Sequence, residues 1–182
     1  DAKKYYQQIE RYYTGSSYYV KALVQLGLIN YNTESPDSAM QYYKQVVEGF
    51  PGTSEAKNAL IGIRNIYVDK GDATAYFDYA SKLGSIANMS LAEKDSLSYI
   101  AAEKLYVNGD CEKSNQAFNK YLSDFPQGNF IINSNYYLAD CYFRNGNTDA
   151  AIEAFAKVAA MPKNSFTEQS LLQLGKIYFG KQ

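Results

Sequence analysis

The side chains with chemistry to offer in this chain are carboxylates, tyrosines and two cysteines. Among 182 residues there is no His and no Trp, but there are 19 Tyr. Without His the chain lacks the commonest general base and the commonest metal ligand. Glu103 and Asp140 form a carboxylate pair that could in principle share acid–base work. No glycine-rich phosphate loop, nucleophile elbow or metal-binding motif accompanies them. The pair therefore reads as solvated charge on helix faces, and no catalytic residue, metal ligand or cofactor is expected. Cys111 and Cys141 are too few for a disulfide scaffold and lack the spacing of metal ligands. Both read as small buried hydrophobes. With 18 basic and 19 acidic residues the formal net charge is −1. Nucleic acid and anionic membrane are thus not expected partners, because both need clustered positive charge. No apolar run approaches the roughly 20 residues a bilayer span requires.

The elements that would position these residues show in a repeat. From Val20 to Thr53 the chain carries Leu23, then Leu26-Gly27, Ala39, Tyr43, Val46 and Pro51. Tyr31 stands one place beyond the position where an aromatic is expected, which Asn30 occupies. The pattern returns about every 37 residues, a period that signals stacked supersecondary units. A second copy has Leu60, Ile63, Tyr67 and Gly71-Asp72, with Tyr76 where a small residue is expected. A third has Ala101-Ala102, Tyr106, Gly109-Asp110, Ser114, Phe118 and Pro126, and a fourth has Leu138-Ala139, Tyr142, Gly146-Asn147, Ala151, Phe155 and Pro162. A fifth starts with Leu171, Leu174-Gly175 and Tyr178. Ala2, Tyr6 and Ile9 fit the second half of a preceding copy.

Each copy reads as two helices and a tight turn. Gly71, Gly109 and Gly146 stand where a helix must end in a left-handed residue. Asp72, Asp110 and Asn147 follow, each able to cap the next helix. The first copy uses Ser35 as cap, Pro36 at the first helical position and Asp37 in the first turn. Ser90 with Glu93, and Ser165 with Glu168, have capping-box spacing. Ala39, Ala151 and Ser114 would let paired helices approach closely. Tyr43, Phe118 and Phe155 lie one turn further on along the same face.

The spacing of a large residue, Leu-Gly, a small residue, an aromatic four later and a closing proline resembles the tetratricopeptide repeat family, over nearly the whole chain. The longer period, with Phe50-Pro51 and Phe125-Pro126 closing second helices, is most similar to repeats of bacterial cell-envelope proteins of the outer-membrane assembly lipoprotein and Tol–Pal coordinator type. The resemblance implies an all-α fold of the α-α superhelix class, a right-handed solenoid of antiparallel helix hairpins. It would divide the single solenoid over 1–182 into a partial repeat at 1–16, repeats at 20–53, 54–89, 90–127 and 128–164, and a partial repeat at 165–182. Both ends, opening and closing mid-repeat with apolar helices, would be surfaces that meet more protein. Stacked hairpins would also bring the ends carrying Cys111 and Cys141 together, so a bond between them is conceivable, although two unpaired buried thiols are the expectation.

In the family the first helices line a concave face where partners bind. Register places Tyr31, Asn58, Asn65, Tyr99, Glu103, Tyr106, Asn133, Tyr136, Asp140 and Phe143 there. Such a groove suits an extended peptide or protein segment; equally, the same rings could pack between neighbouring helices. The basic clamp that some members use for acidic peptide tails is missing, since Asn65, Glu103, Asp140 and Lys176 hold its positions. The implied function is a non-catalytic protein–protein interaction scaffold. The alternative is a glycan-binding module that uses exposed Tyr and Phe rings. The implied location is the periplasm or the periplasmic face of the outer membrane, with the cytoplasm as the alternative.

Overall fold

The computed structural model describes residues 1–181. Among them there are ten α-helices, one short 3-10 helix and no strand. The helices are α1 (Ala2–Tyr12), α2 (Tyr19–Asn32), α3 (Pro36–Gly49), α4 (Ser54–Asp69), α5 (Ala73–Ser81), α6 (Leu91–Val107), α7 (Cys111–Asp124), α8 (Ile131–Arg144), α9 (Thr148–Ala159) and α10 (Thr167–Gly180). The chain forms two compact units. The first comprises residues 1–67 with 74–88, and the second residues 68–73 with 89–181.

The turns follow from residues that tolerate a left-handed backbone. Gly71, Gly109 and Gly146 have φ of 74°, 80° and 75°. The turn after α2 has no glycine there, and Glu34 takes φ 56° instead. Asp110 and Asn147 cap α7 and α9 by accepting from the backbone N–H of Lys113 and Ala150. Ser90 and Glu93 form the reciprocal capping box at α6. Two expected caps differ. Ser35 occupies the N-cap position of α3 without bonding it; its hydroxyl donates to the carbonyl of Thr33 at 3.5 Å. Ser165 does not cap α10, which begins two residues later. There the Asn164 Oδ1 accepts from the Phe166 N–H at 2.9 Å, and Thr167 Oγ1 from the Asn164 N–H at 3.0 Å. A local Asx turn competes with the capping box and wins.

In the first unit Leu23, Leu26, Ala39, Val46, Ala56, Ala59 and Ile63 are fully buried. The Tyr43 ring lies between two glycines, Gly27 of α2 and Gly62 of α4, where a Cβ on either would run into it. The irregular stretch is visible at α5, which is only nine residues long and gives way to the 3-10 helix Gly84–Ala87. Tyr76, in place of a small residue, is buried and meets the Tyr67 and Phe77 rings at 6.3 and 6.2 Å.

In the second unit one cluster joins Tyr99, Ala102, Phe118, Tyr121 and Leu138, and another joins Ala139, Ala151, Ala154, Phe155 and Ile177. The turn into α8 is pinned to α6 by the buried Asp95. Its carboxylate accepts from the Tyr121 hydroxyl at 2.5 Å and from the Asn129 backbone and side-chain N–H at 3.0 and 2.9 Å. Tyr121 in turn accepts from the Phe130 N–H at 3.0 Å.

The two cysteines correct the expectation of unpaired thiols. Cys111 and Cys141 form a disulfide, with Cα atoms 5.2 Å apart. Cys111 opens α7 and Cys141 lies in the last turn of α8, so packing of α7 against α8 brings the two ends together. Both residues are buried, as small hydrophobes would be; burial alone cannot distinguish a thiol from half of a disulfide.

Candidate functional site

The first helices of the hairpins carry the candidate face, and in the second unit α6 and α8 bring most of its residues together. The Tyr106 hydroxyl donates to Asp140 Oδ2 at 2.8 Å, across the two helices. Arg144, one turn beyond Asp140, pairs with the same oxygen through Nε at 2.6 Å and donates from Nη2 to the Tyr106 hydroxyl at 2.9 Å. Its guanidinium also sits 4.9 Å from the centre of the Tyr106 ring, a cation–π arrangement. Two turns earlier along α6, the Tyr99 hydroxyl donates to Glu103 Oε1 at 2.5 Å, and Asn133 Nδ2 donates to that hydroxyl at 3.4 Å.

The rings interlock. Tyr99 stacks on Phe130 at 4.2 Å, Tyr106 on Tyr137 at 4.4 Å and Tyr136 on Phe166 at 4.5 Å. Tyr136 also meets Phe155 edge-on at 5.8 Å. Burial raises the pKa of Tyr99 above its ordinary value of 10, helped by the hydrogen bond to Glu103. Tyr106 is raised for the same reason and by its bond to Asp140, with Arg144 opposing. Burial raises Tyr136 as well, with the charge of Asp140 adding to it.

The expected residues therefore fall into three groups. Tyr99 is only 5% exposed and belongs to the core. Glu103, Tyr106, Asn133, Tyr136 and Asp140 are half-buried. Phe143 is exposed. In the first unit Asn58 and Asn65 are exposed on one face of α4, and Tyr31 of α2 is half-buried. Glu103 and Asp140, considered as an acid–base pair, are instead each held by a tyrosine hydroxyl, and Asp140 by Arg144 as well.

Arg144, Tyr137, Ile100 and Ile61 stand outside the residues expected from register. Arg144 follows Asp140 by four residues, a spacing that puts both on one helix face and could have flagged it. Ile61 lies between Asn58 and Asn65 on the same face of α4 and is 46% exposed. Ile100 stands one residue past Tyr99 and is 38% exposed. Register alone could not tell which of these two neighbours turns inward. Among the described residues no group of three or more His, Cys, Asp or Glu is placed to hold a metal. No helix among them is long and apolar enough to cross a membrane.

Helix pairs joined by tight turns, three of them at a glycine, define an all-α protein of the α-α superhelix class. A family model described as tetratricopeptide repeat matches residues 99–165, and a second with the same description matches residues 20–48. Together they cover just over half of the chain, which belongs to the tetratricopeptide repeat family. Such repeats generally bind proteins or peptides and are typically non-catalytic scaffolds. No curated protein matches the chain.

Proposed function

We propose that this chain is a non-catalytic interaction scaffold of the bacterial cell envelope, and that a protein or peptide segment docks on its first-helix faces. The observation that carries the reading is the bridge of Tyr106, Asp140 and Arg144 between α6 and α8. Polar side chains locked to one another present a surface whose ordering cost is already met, which favours binding. Ile100, Val107 and Phe143, on these same two helices, supply exposed apolar area at 38, 72 and 39%. The interlocked rings leave their faces occupied by one another, which favours a protein partner over a sugar stacked on this face. The periplasmic location is supported by the Cys111–Cys141 disulfide, since disulfides persist in oxidising compartments and are rare in the cytosol.

Site-specific photo-cross-linking in cells tests the docking face. A photoreactive residue at Phe143 or Ile100 should give a discrete adduct, and one at Lys120 of α7 should not. Arg144→Ala should weaken the Phe143 adduct while leaving the thermal midpoint nearly unchanged. Adducts from Lys120 with none from Phe143 or Ile100 would sink the reading. Tyr99→Ala is a poor probe, because Tyr99 is a core residue.

A further inference from the structure

In two later copies a ring stands where the first repeat has Asn30. Three residues after Ala139 stands Tyr142, and three after Gly175 stands Tyr178; three after Gly27 stands Asn30. Tyr142 is half-buried and packs against both clusters of the second unit. Asn30 is equally an inside residue, at 3% exposure, but a short amide fills much less of that corner than a ring. Within the first unit a hollow of about 340 Å³ lies beside Asn30, between α1 and α3.

The lining of the hollow is mostly polar. Helix α1 contributes Lys3, Gln7 and Glu10, at spacings that share one face. Helix α3 contributes Ser38, Gln41, Tyr42 and Gln45. The two charged groups are already engaged within it. Lys3 Nζ donates to Asn30 Oδ1 at 2.9 Å, and the Tyr42 hydroxyl donates to Glu10 Oε2 at 3.4 Å. Asn30 Nδ2 donates to the Leu26 carbonyl at 2.7 Å, which fixes the amide with its oxygen towards Lys3. Gln45 is oriented by donating from Nε2 to the Tyr19 hydroxyl at 3.0 Å.

We propose that this hollow binds a neutral polyhydroxylated ligand, a sugar residue of a saccharide. The Gln7 and Gln41 carboxamides each bring donors and an acceptor side by side to its lining, the arrangement that pairs with neighbouring hydroxyls. One ammonium and one carboxylate cancel, so an ion gains no net attraction. Tyr42 offers the one aromatic wall, enough for the C–H face of a sugar but not for an apolar peptide side chain seeking enclosure. The volume falls within the roughly 300–1,000 Å³ of small-molecule sites. The site is built from α1 and α3 with Asn30, so it does not rest on docking at the first-helix faces.

Side-chain amide resonances of 15N-labelled protein provide the test. Galactose, glucose, mannose, N-acetylglucosamine, lactose, cellobiose and chitobiose are each titrated into the tens of millimolar, with pentaalanine as the peptide probe. At least one sugar should shift the Gln7 and Gln41 amides saturably. Asn30→Tyr, which restores a ring to this position, should weaken binding at least about tenfold, or about 1.4 kcal/mol. Gln41→Ala should do the same at an exposed position where folding is not at stake, so it carries the test should Asn30→Tyr disturb the fold. The proposal is overturned if no sugar gives a saturable shift, or if pentaalanine alone moves these amides. Affinity unchanged in Gln41→Ala overturns it equally.

Discussion

Phe118 touches no solvent and sits in one cluster with Tyr99, Ala102, Tyr121 and Leu138. Removing its ring leaves a void that neighbouring rings can close only in part. Phe118→Ala is therefore expected to cost about 3–5 kcal/mol, read as a fall in denaturation midpoint; an unchanged midpoint would remove Phe118 from the core. The tyrosines make a second residue-scale prediction. Burial raises the pKa of Tyr79 to about 12, and raises Tyr99, Tyr106 and Tyr121 above 10 as well. In the unfolded chain all four ionise near about 10. The fold therefore favours their protonated forms. Their contribution to stability is whole below pH 10 and is lost as pH rises through the folded values. For Tyr79 that loss runs from 10 to about 12. Thermal midpoints should hold to about pH 9 and then fall, and a spectrophotometric titration should show a set of phenols that ionise only on unfolding. All 19 tyrosines titrating together near about 10 would contradict this.

At the scale of elements, the packing of α2, α3 and α4 turns on Tyr43 between Gly27 and Gly62. Gly27 is legible in the sequence as part of the Leu-Gly pair. Gly62 is not, because nothing in its local spacing says that a ring from α3 will lie against it. Gly62→Ala gains helix propensity yet forces the ring aside, so it should be net destabilising by about 1–3 kcal/mol. Urea denaturation measures it, and a stabilised variant would mean that the ring swings away freely. Caps divide in the same manner. Asp110, Asn147 and the Ser90–Glu93 box behave as their spacing predicts. Ser165 does not, because Asn164 and Thr167 offer the turn a competing set of bonds.

On the scale of the whole molecule, the disulfide ties α7 to α8 within the second unit, across a sequence separation of 30. Closing a loop of that size in the unfolded chain is worth about 3–4 kcal/mol. A reductant should lower the thermal midpoint accordingly, and Cys111→Ser with Cys141→Ser should reproduce the shift without any reductant. Identical melts in both redox states would show that the bond adds no stability. Thiol trapping in intact cells checks the proposed compartment: fully reactive cysteines would count against an oxidising location.

The hairpins are legible in the amino-acid order. Recurrent small and aromatic residues, glycine turns and side-chain caps act over a few residues, so their consequences are legible locally and repeat in register. The first-helix face was legible in outline for the same reason, since helical period sets which residues share a side. Tertiary packing sets which members of that face turn inward. Tyr99 is core and its neighbour Ile100 is surface, because the outcome depends on Phe130 and Tyr121 arriving from α7 and its following turn. It also decided that two cysteines 30 residues apart are bonded, and that Asn30 in place of a ring borders a polar hollow. Each of these depends on side chains from different helices meeting at distances of a few ångströms, and spacing along one chain does not encode that meeting.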